Sequence, residues 1–174
     1  MKLGIISGAY FQKKNRTIFA YRPLVMELNL WIRNFEELTI LGFERNTNVH
    51  QGDSKLLHDN IKLITYPLIH LKSLKGLFKT LIFAPLIIKR IIFLFSRVDH
   101  VHIRCPSNVG LLALVINIIF PRKKVTVKYA GNWIDNRGQP WSYKLQKFLA
   151  SNCILSKNTR VFAYCGAANA SKNV

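Results

Sequence analysis

Short apolar runs alternate with helical patterns along nearly the whole chain, and that alternation restricts the fold more than any other feature. It is plainest from His102 to Gln146, HIRCPSNVGLLALVINIIFPRKKVTVKYAGNWIDNRGQPWSYKLQ. An apolar strand, a polar break, an apolar helix, a second strand, a Gly/Asn/Asp loop and another helix follow one another. The two strands of such a unit lie parallel, because a helical crossover returns the chain to the same end of the sheet. Their loops gather at the carboxyl ends, where open α/β sheets bind ligands.

The same reading extends to both sides of this unit. Lys2 to Ser7 is a first parallel strand ending at Gly8, and residues 8–20 read as a polar, basic loop. Pro23 suits a first helical turn and opens a helix to about Asn34, with Leu24, Leu28, Trp31 and Ile32 on one stripe. Leu38 to Phe43 and Ile61 to Tyr66 are the next strands, separated by a turn-rich loop over 44–60. Asp99 to Arg104 is a fourth strand, Ser107 to Phe120 a helix capped by Ser107, and Lys124 to Tyr129 a fifth strand. A helix over Pro140 to Leu155 and a sixth strand over Thr159 to Cys165 complete the pattern. Residues 1–166 therefore predict one Rossmann-like, three-layer α/β domain with a mostly parallel sheet of about six strands, and residues 167–174 a frayed tail.

The segment 68–97 is apolar and basic and contains no acid. A single bilayer-crossing helix would place Lys79, Lys89 and Arg90 inside the membrane, at roughly 2.5–3.5 kcal/mol per charge near the middle. Two helices meeting near Ala84–Pro85 fit the pattern better. In the first, Lys72, Lys75 and Lys79 share one side, while Leu74, Leu77, Phe78, Leu81 and Ile82 share the other. That is either a helix lying in a membrane interface or a core helix with a solvated lysine face.

The 174 residues suit one domain, and 49 % apolar content is enough for a sizeable core. Net charge is +18, and beyond Asp59 the only acids are Asp99 and Asp135. So unopposed a basic surface attracts polyanions: nucleic acid, anionic lipid or phosphorylated ligands. Cys105, Cys153 and Cys165 form no CxxC pair, so they read as buried thiols of a reducing compartment, with neither a disulfide framework nor a metal site. The opening MKLGIISGAYFQKK lacks the apolar length of a signal peptide, which makes the cytoplasm the expectation.

Three loops should converge at the carboxyl edge of the sheet. The first contains Gly8, where backbone can approach a ligand closely, and Tyr10; no GxGxxG or GxxxxGK[ST] accompanies them. The second is Arg104-Cys105-Pro106-Ser107-Asn108, leading into a helix. Arg104 and Ser107 there either hold an anionic group or serve plain capping, and Cys105 reads as a structural thiol. The third, Gly131 to Gly138, is the richest: Gly131, Asn132, Trp133, Asp135 and Arg137 offer an amide, an aromatic platform, a carboxylate and a guanidinium, suited to sugar hydroxyls and a stacked ring. Asp135 serves either there or in a turn. His100 and His102 share one face of a strand and read as packing residues.

From KLGIISGAYF through Arg160-Val161 the chain resembles the N-terminal half of bacterial GT-B glycosyltransferases of the family-4-like type. The resemblance is carried by Arg104 to Leu114 (RCPSNVGLLAL), VKYAGNW (Val127 to Trp133) and PWSYKLQKFLAS (Pro140 to Ser151). It implies a domain that grips the acceptor, often a lipid-linked sugar at the membrane, while a second Rossmann-like domain binds the nucleotide sugar. Gly8 would lie near the donor diphosphate. Tyr10, Arg104, Ser107, Gly131, Asn132, Trp133, Asp135 and Arg137 would belong to the acceptor and cleft side. Lys72, Lys75, Lys79, Lys89 and Arg90 would face the membrane. The histidine many members carry after the fifth strand is missing from Lys128 to Asp135, so the catalytic residues are not assigned.

The family's donor-domain glutamate pair, seven residues apart, also has no counterpart, for no Glu follows Glu44. The donor domain is thus expected to be absent from this chain, and with it the nucleotide-sugar site; no other cofactor or metal is implied. The resulting expectation is the acceptor-binding, membrane-associated half of a glycosyltransferase that builds surface polysaccharide, on the inner face of the cell membrane. It would be inactive alone, as either a fragment or truncated reading frame or one half of a split enzyme completed by a separate donor-domain subunit. The alternatives are a non-enzymatic basic module that binds nucleic acid or anionic membrane, or a gene remnant. No nucleic-acid motif is recognised, so nucleic acid is not the expected partner.

Overall fold

The computed structural model describes residues 1–15, 17–45, 49–66, 74–134 and 138–164. Eight strands and four helices follow in the order β1 (Lys2–Lys14), β2 (Thr17–Tyr21), α1 (Arg22–Ile32), β3 (Glu37–Glu44), β4 (Asp53–Lys55), β5 (Ile61–Thr65), α2 (Leu74–Arg97), β6 (His100–Cys105), α3 (Asn108–Asn117), β7 (Lys124–Asn132), α4 (Trp141–Ser151) and β8 (Thr159–Tyr164). Six strands form a parallel sheet in the order β5-β3-β1-β6-β7-β8. This is the arrangement of a Rossmann-like domain, in which the chain builds outward from β1 to one side and then, after α2, to the other. The predicted α/β class and mostly parallel sheet are those of the structure.

Two elements differ from the sequence reading. The basic stretch after Gly8 is not a loop. β1 continues to Lys14, turns, and pairs antiparallel with β2, which in turn pairs with β4 inside the supposed 44–60 loop. Apolar residues drive this extension: Phe11, Ile18 and Ala20 are buried between β1, β2 and α1, while Lys13 and Lys14 point to water. Asn15, at φ 55°, supplies the left-handed residue that a two-residue hairpin loop requires.

The second difference is α2, one helix from Leu74 to Arg97 with Pro85 inside it, where two helices were expected. Proline removes one donor from the helical ladder. Pro85 and Leu81, whose carbonyl would have received that bond, are both exposed, so the broken bond lies on the outer side. On the inner side Ile87, Ile91, Leu94, Phe95 and Val98 continue an unbroken buried stripe. Packing on that stripe outweighs one lost hydrogen bond. Among the described residues, no helix is long and apolar enough to cross a membrane.

α2, α3 and α4 cover one face of the sheet over a core that includes Val101, Ile103, Val125, Val127, Tyr129 and Val161. α1 covers the other face above β1 and β3, through Leu24, Val25, Leu28 and Ile32. β1 and β3 are therefore buried on both sides, as their continuous apolar runs require. The cysteines are less uniform than expected: Cys105 is buried, Cys153 is exposed, and Cys165 lies outside the described residues, as does the predicted frayed tail.

Candidate functional site

β1 and β6 are adjacent at the centre of the sheet but lead to opposite sides of it, which makes their carboxyl ends the topological switch point. Gly8 lies at a register break in β1, between Ile6 and Tyr10. A Cβ on Gly8 would stand 2.8 Å from the Cβ of Ser107. Space, not an unusual φ, demands glycine here, and the contact joins two of the three predicted loops. Tyr66 fixes the same point from below: its hydroxyl donates to the Ser7 carbonyl at 2.9 Å. Its ring packs on Phe43 (4.3 Å between centroids), which carries the half-exposed ring of Tyr10 at 5.6 Å. Burial pushes the Tyr66 phenol well above its usual range, so it stays protonated and donating.

Ser107 is the N-cap of α3. Its hydroxyl accepts from the Gly110 N–H at 2.9 Å and donates to the Arg104 carbonyl at 3.0 Å, while its own N–H donates to Gln146 Oε1 of α4 at 3.0 Å. The capping role is thus the one the geometry shows. Replacing Ser107 with alanine removes both hydroxyl bonds and is expected to lower stability by about 1–2 kcal/mol, read as a shift in the urea midpoint. An unchanged midpoint would mean that the cap contributes nothing.

The Arg104 guanidinium bonds Glu27 Oε1 of α1 at 2.6 Å, with both side chains largely buried. Its charge is therefore engaged, and any anion at this edge competes with Glu27. Cys105 is enclosed, and burial pushes its thiol far up, which suits the structural role expected of it. Among the described residues, no three His, Cys, Asp or Glu side chains cluster in a metal-binding arrangement.

The third loop begins while still on β7. A Cβ on Gly131 would lie 3.2 Å from Tyr129 Cε1 and 3.4 Å from Pro106 Cδ, so the end of β7 closes onto the loop after β6. The Asn132 side chain accepts from the Ile134 N–H at 3.1 Å, and its carbonyl accepts from Gln139 at 3.3 Å. Trp133, half-buried, meets Tyr129 edge to face at 5.2 Å. Lys147 of α4 joins this edge as well, its ammonium 2.6 Å from Gln139 Oε1 and 5.8 Å from the Tyr129 ring. Asp135 and Arg137 lie outside the described residues, as does Lys72; so do the side chains of Lys75 and Lys79.

The structure thus brings Gly8, Tyr10, Arg104, Ser107, Gly131, Asn132 and Trp133 to the carboxyl edge of one sheet. Sequence reasoning missed Glu27, Tyr66 and Lys147 there. Only Tyr66 left a signal, an aromatic residue closing the predicted strand directly before Pro67. Chemically, the edge offers aromatic rings and the Asn132 amide, groups able to contact a hydroxylated ligand. Of the remaining candidates, Lys89 is exposed on α2, whereas Arg90 turns back to donate to the Thr65 carbonyl at the end of β5. No family model matches the chain, and no curated protein matches it significantly.

Proposed function

We propose that this chain is the acceptor-binding, membrane-associated half of a glycosyltransferase that extends a lipid-linked surface glycan. In the reaction, the anomeric carbon–oxygen bond to a nucleoside diphosphate breaks. A new bond forms to an acceptor hydroxyl, which loses its proton. The carboxyl edge around Gly8, Tyr10, Asn132 and Trp133 would hold the acceptor, and a donor-binding domain would bring the nucleotide sugar.

One observation carries the reading. α2 has completed its packing on the sheet and still presents Phe78, Leu81 and Ile82 at 69 %, 62 % and 70 % exposure, with Leu86 and Lys89 beside them. An outward apolar stripe beside Lys89, on a segment free of acids, suits a helix resting in the head-group region of an anionic membrane. The resemblance in RCPSNVGLLAL and VKYAGNW supplies the chemistry.

The test is flotation with vesicles. Wild-type protein should bind vesicles containing anionic lipid at about 150 mM salt and keep part of that binding at about 500 mM, because screening removes only the Coulomb part. Replacing Phe78, Leu81 and Ile82 together with serine should weaken binding at least tenfold while the thermal midpoint holds, since all three are exposed. Binding that vanishes in high salt, or that ignores the triple substitution, would sink the membrane assignment. Sugar transfer by this chain with no partner present would sink the division of labour.

A further inference from the structure

The face of the sheet opposite α2, α3 and α4 is covered above β1, β3 and β6 by α1 and Phe35, with Trp31 on His102, Glu27 on Arg104 and Phe35 edge-on to His100. Above β7 and β8 the ring contact supplied by the described residues is that of Trp31, at the end of α1, on Phe162. A groove of about 960 Å³ opens there, toward the amino ends of the strands, away from the carboxyl edge discussed above. It is lined by Trp31 and Phe162 and by Arg122, Lys124, Lys157 and Arg160, and by no acid.

Two kinds of occupant compete for such a face: a further polypeptide segment packs onto it, or it binds a ligand in water. Strand chemistry decides between them. Strands buried on both faces read as continuous apolar runs, as β1 and β3 do. β7 and β8 alternate instead. Val125, Val127, Tyr129 and Val161 enter the helical core, and Lys124, Thr126, Lys128, Arg160 and Phe162 take the other side. Thr126 is buried on this side, while Lys124, Arg160 and Phe162 are exposed, so its outer part is cationic with rings set into it.

We infer that this open sheet face is a binding site for single-stranded nucleic acid. Four exposed cations, none of which joins an ion pair among the described residues, surround an aromatic pair whose ring centroids are 5.6 Å apart. Phe162 is 43 % exposed and Trp31 half-buried, so bases can reach both. Cations that follow a phosphate chain and rings that stack on its bases are the two requirements of sequence-tolerant single-strand binding.

The neutral polar groups of the groove argue against an acidic glycan as the occupant. The Thr126 hydroxyl meets both His100 and His102, the Asn158 amide donates to the Pro121 carbonyl, and Thr159 accepts from Asn117. Groups that would read sugar hydroxyls are already engaged, whereas charges and rings remain. The proposal does not depend on the glycosyltransferase reading, because it uses none of that reading's residues.

The experiment is fluorescence anisotropy of the full chain with a labelled oligothymidylate of about twelve nucleotides, within the site sizes such faces cover. Binding is expected, with a slope of log K against log salt of about −3, as four neutralised phosphates imply for a single strand. Phe162→Ala should weaken it at least fivefold at fixed salt while Phe162→Tyr leaves it intact. Arg160→Gln should lower the slope by a little under one unit. Inorganic polyphosphate and an acidic polysaccharide, matched for charge, should displace the oligonucleotide at least tenfold more weakly than unlabelled oligothymidylate. Absence of binding would overturn the proposal. So would equal displacement by the base-free polyanions, or indifference to Phe162→Ala, since either leaves only the nonspecific attraction of a chain of net charge +18. All the substituted side chains are exposed, and a thermal melt of each variant checks that the fold is kept.

Discussion

Phe95→Ala is expected to cost about 3–5 kcal/mol, the range for truncating a fully buried aromatic side chain. Phe95 is 0 % exposed, and its ring lies 5.2 Å from that of Phe120, on the segment between α3 and β7. With Ile91 and Leu94 it fastens α2 to the sheet, so the variant leaves a cavity in the larger of the two cores. For a chain of this size, such a loss corresponds to a fall in the thermal midpoint of roughly 6–20 °C. Phe93 provides the control. It stands on the same helix at 43 % exposure, with the Arg97 guanidinium over its ring at 5.4 Å. Phe93→Ala should cost less than about 1 kcal/mol, as an exposed cation–π contact would. Equal losses at the two positions, measured by urea unfolding, would mean that α2 does not seat on the face described.

That helix also marks where sequence reasoning reaches its limit. Its buried stripe is legible as a repeat of three and four, but whether a proline interrupts it depends on which side the missing bond faces. That is a property of the assembled domain. The β1–β2 hairpin was hidden for a related reason. Ala9, Phe11, Ile18 and Ala20 fall on alternate positions, and Gly8, Lys13, Lys14 and Asn15 outweigh them locally as loop formers. The six parallel strands were legible because each is a short apolar run bounded by turn residues, and burial demands little else of them.

The site divides the same way. The Ser107 cap is written within three residues, so it was visible. The ion pair of Arg104 with Glu27 joins positions 77 apart in the chain. The contact between Gly8 and Ser107 likewise exists only once the sheet is assembled. Local pattern pointed to Gly8, Tyr10, Arg104, Ser107, Gly131, Asn132 and Trp133 at the carboxyl edge and missed Glu27, Tyr66 and Lys147; which charges there are already engaged is a tertiary fact.

Acid should unfold this protein partly through His102. It is 2 % exposed, with its ring 5.2 Å from that of Trp31. Nδ1 meets the Thr126 hydroxyl at 3.3 Å, and Nε2 has no hydrogen-bond partner among the described residues. Burial chiefly, with Arg104, His100 and Lys128 adding repulsion, pushes its pKa down from 6.5 to about 3. His100 is lowered too, by burial and then by Lys124. The folded state therefore keeps His102 neutral where the unfolded chain takes up a proton. Stability from this residue is fully present above pH 6.5 and falls as the pH drops from there toward about 3. One proton corresponds to at most about 1.4 kcal/mol per pH unit, so roughly 2–3 kcal/mol should be lost between pH 6.5 and 4.5. The comparison is with His102→Gln, which keeps a group able to hydrogen-bond Thr126 but cannot titrate. Carboxylates and the more distant histidines contribute equally to both proteins, so the difference between their urea midpoints reports His102 together with its coupling to His100. That difference should shift steadily in favour of the variant below pH 6.5. Parallel profiles would mean that His102 is already protonated in the fold, or that water reaches it, and the tight packing of Trp31 against β6 would have to be abandoned.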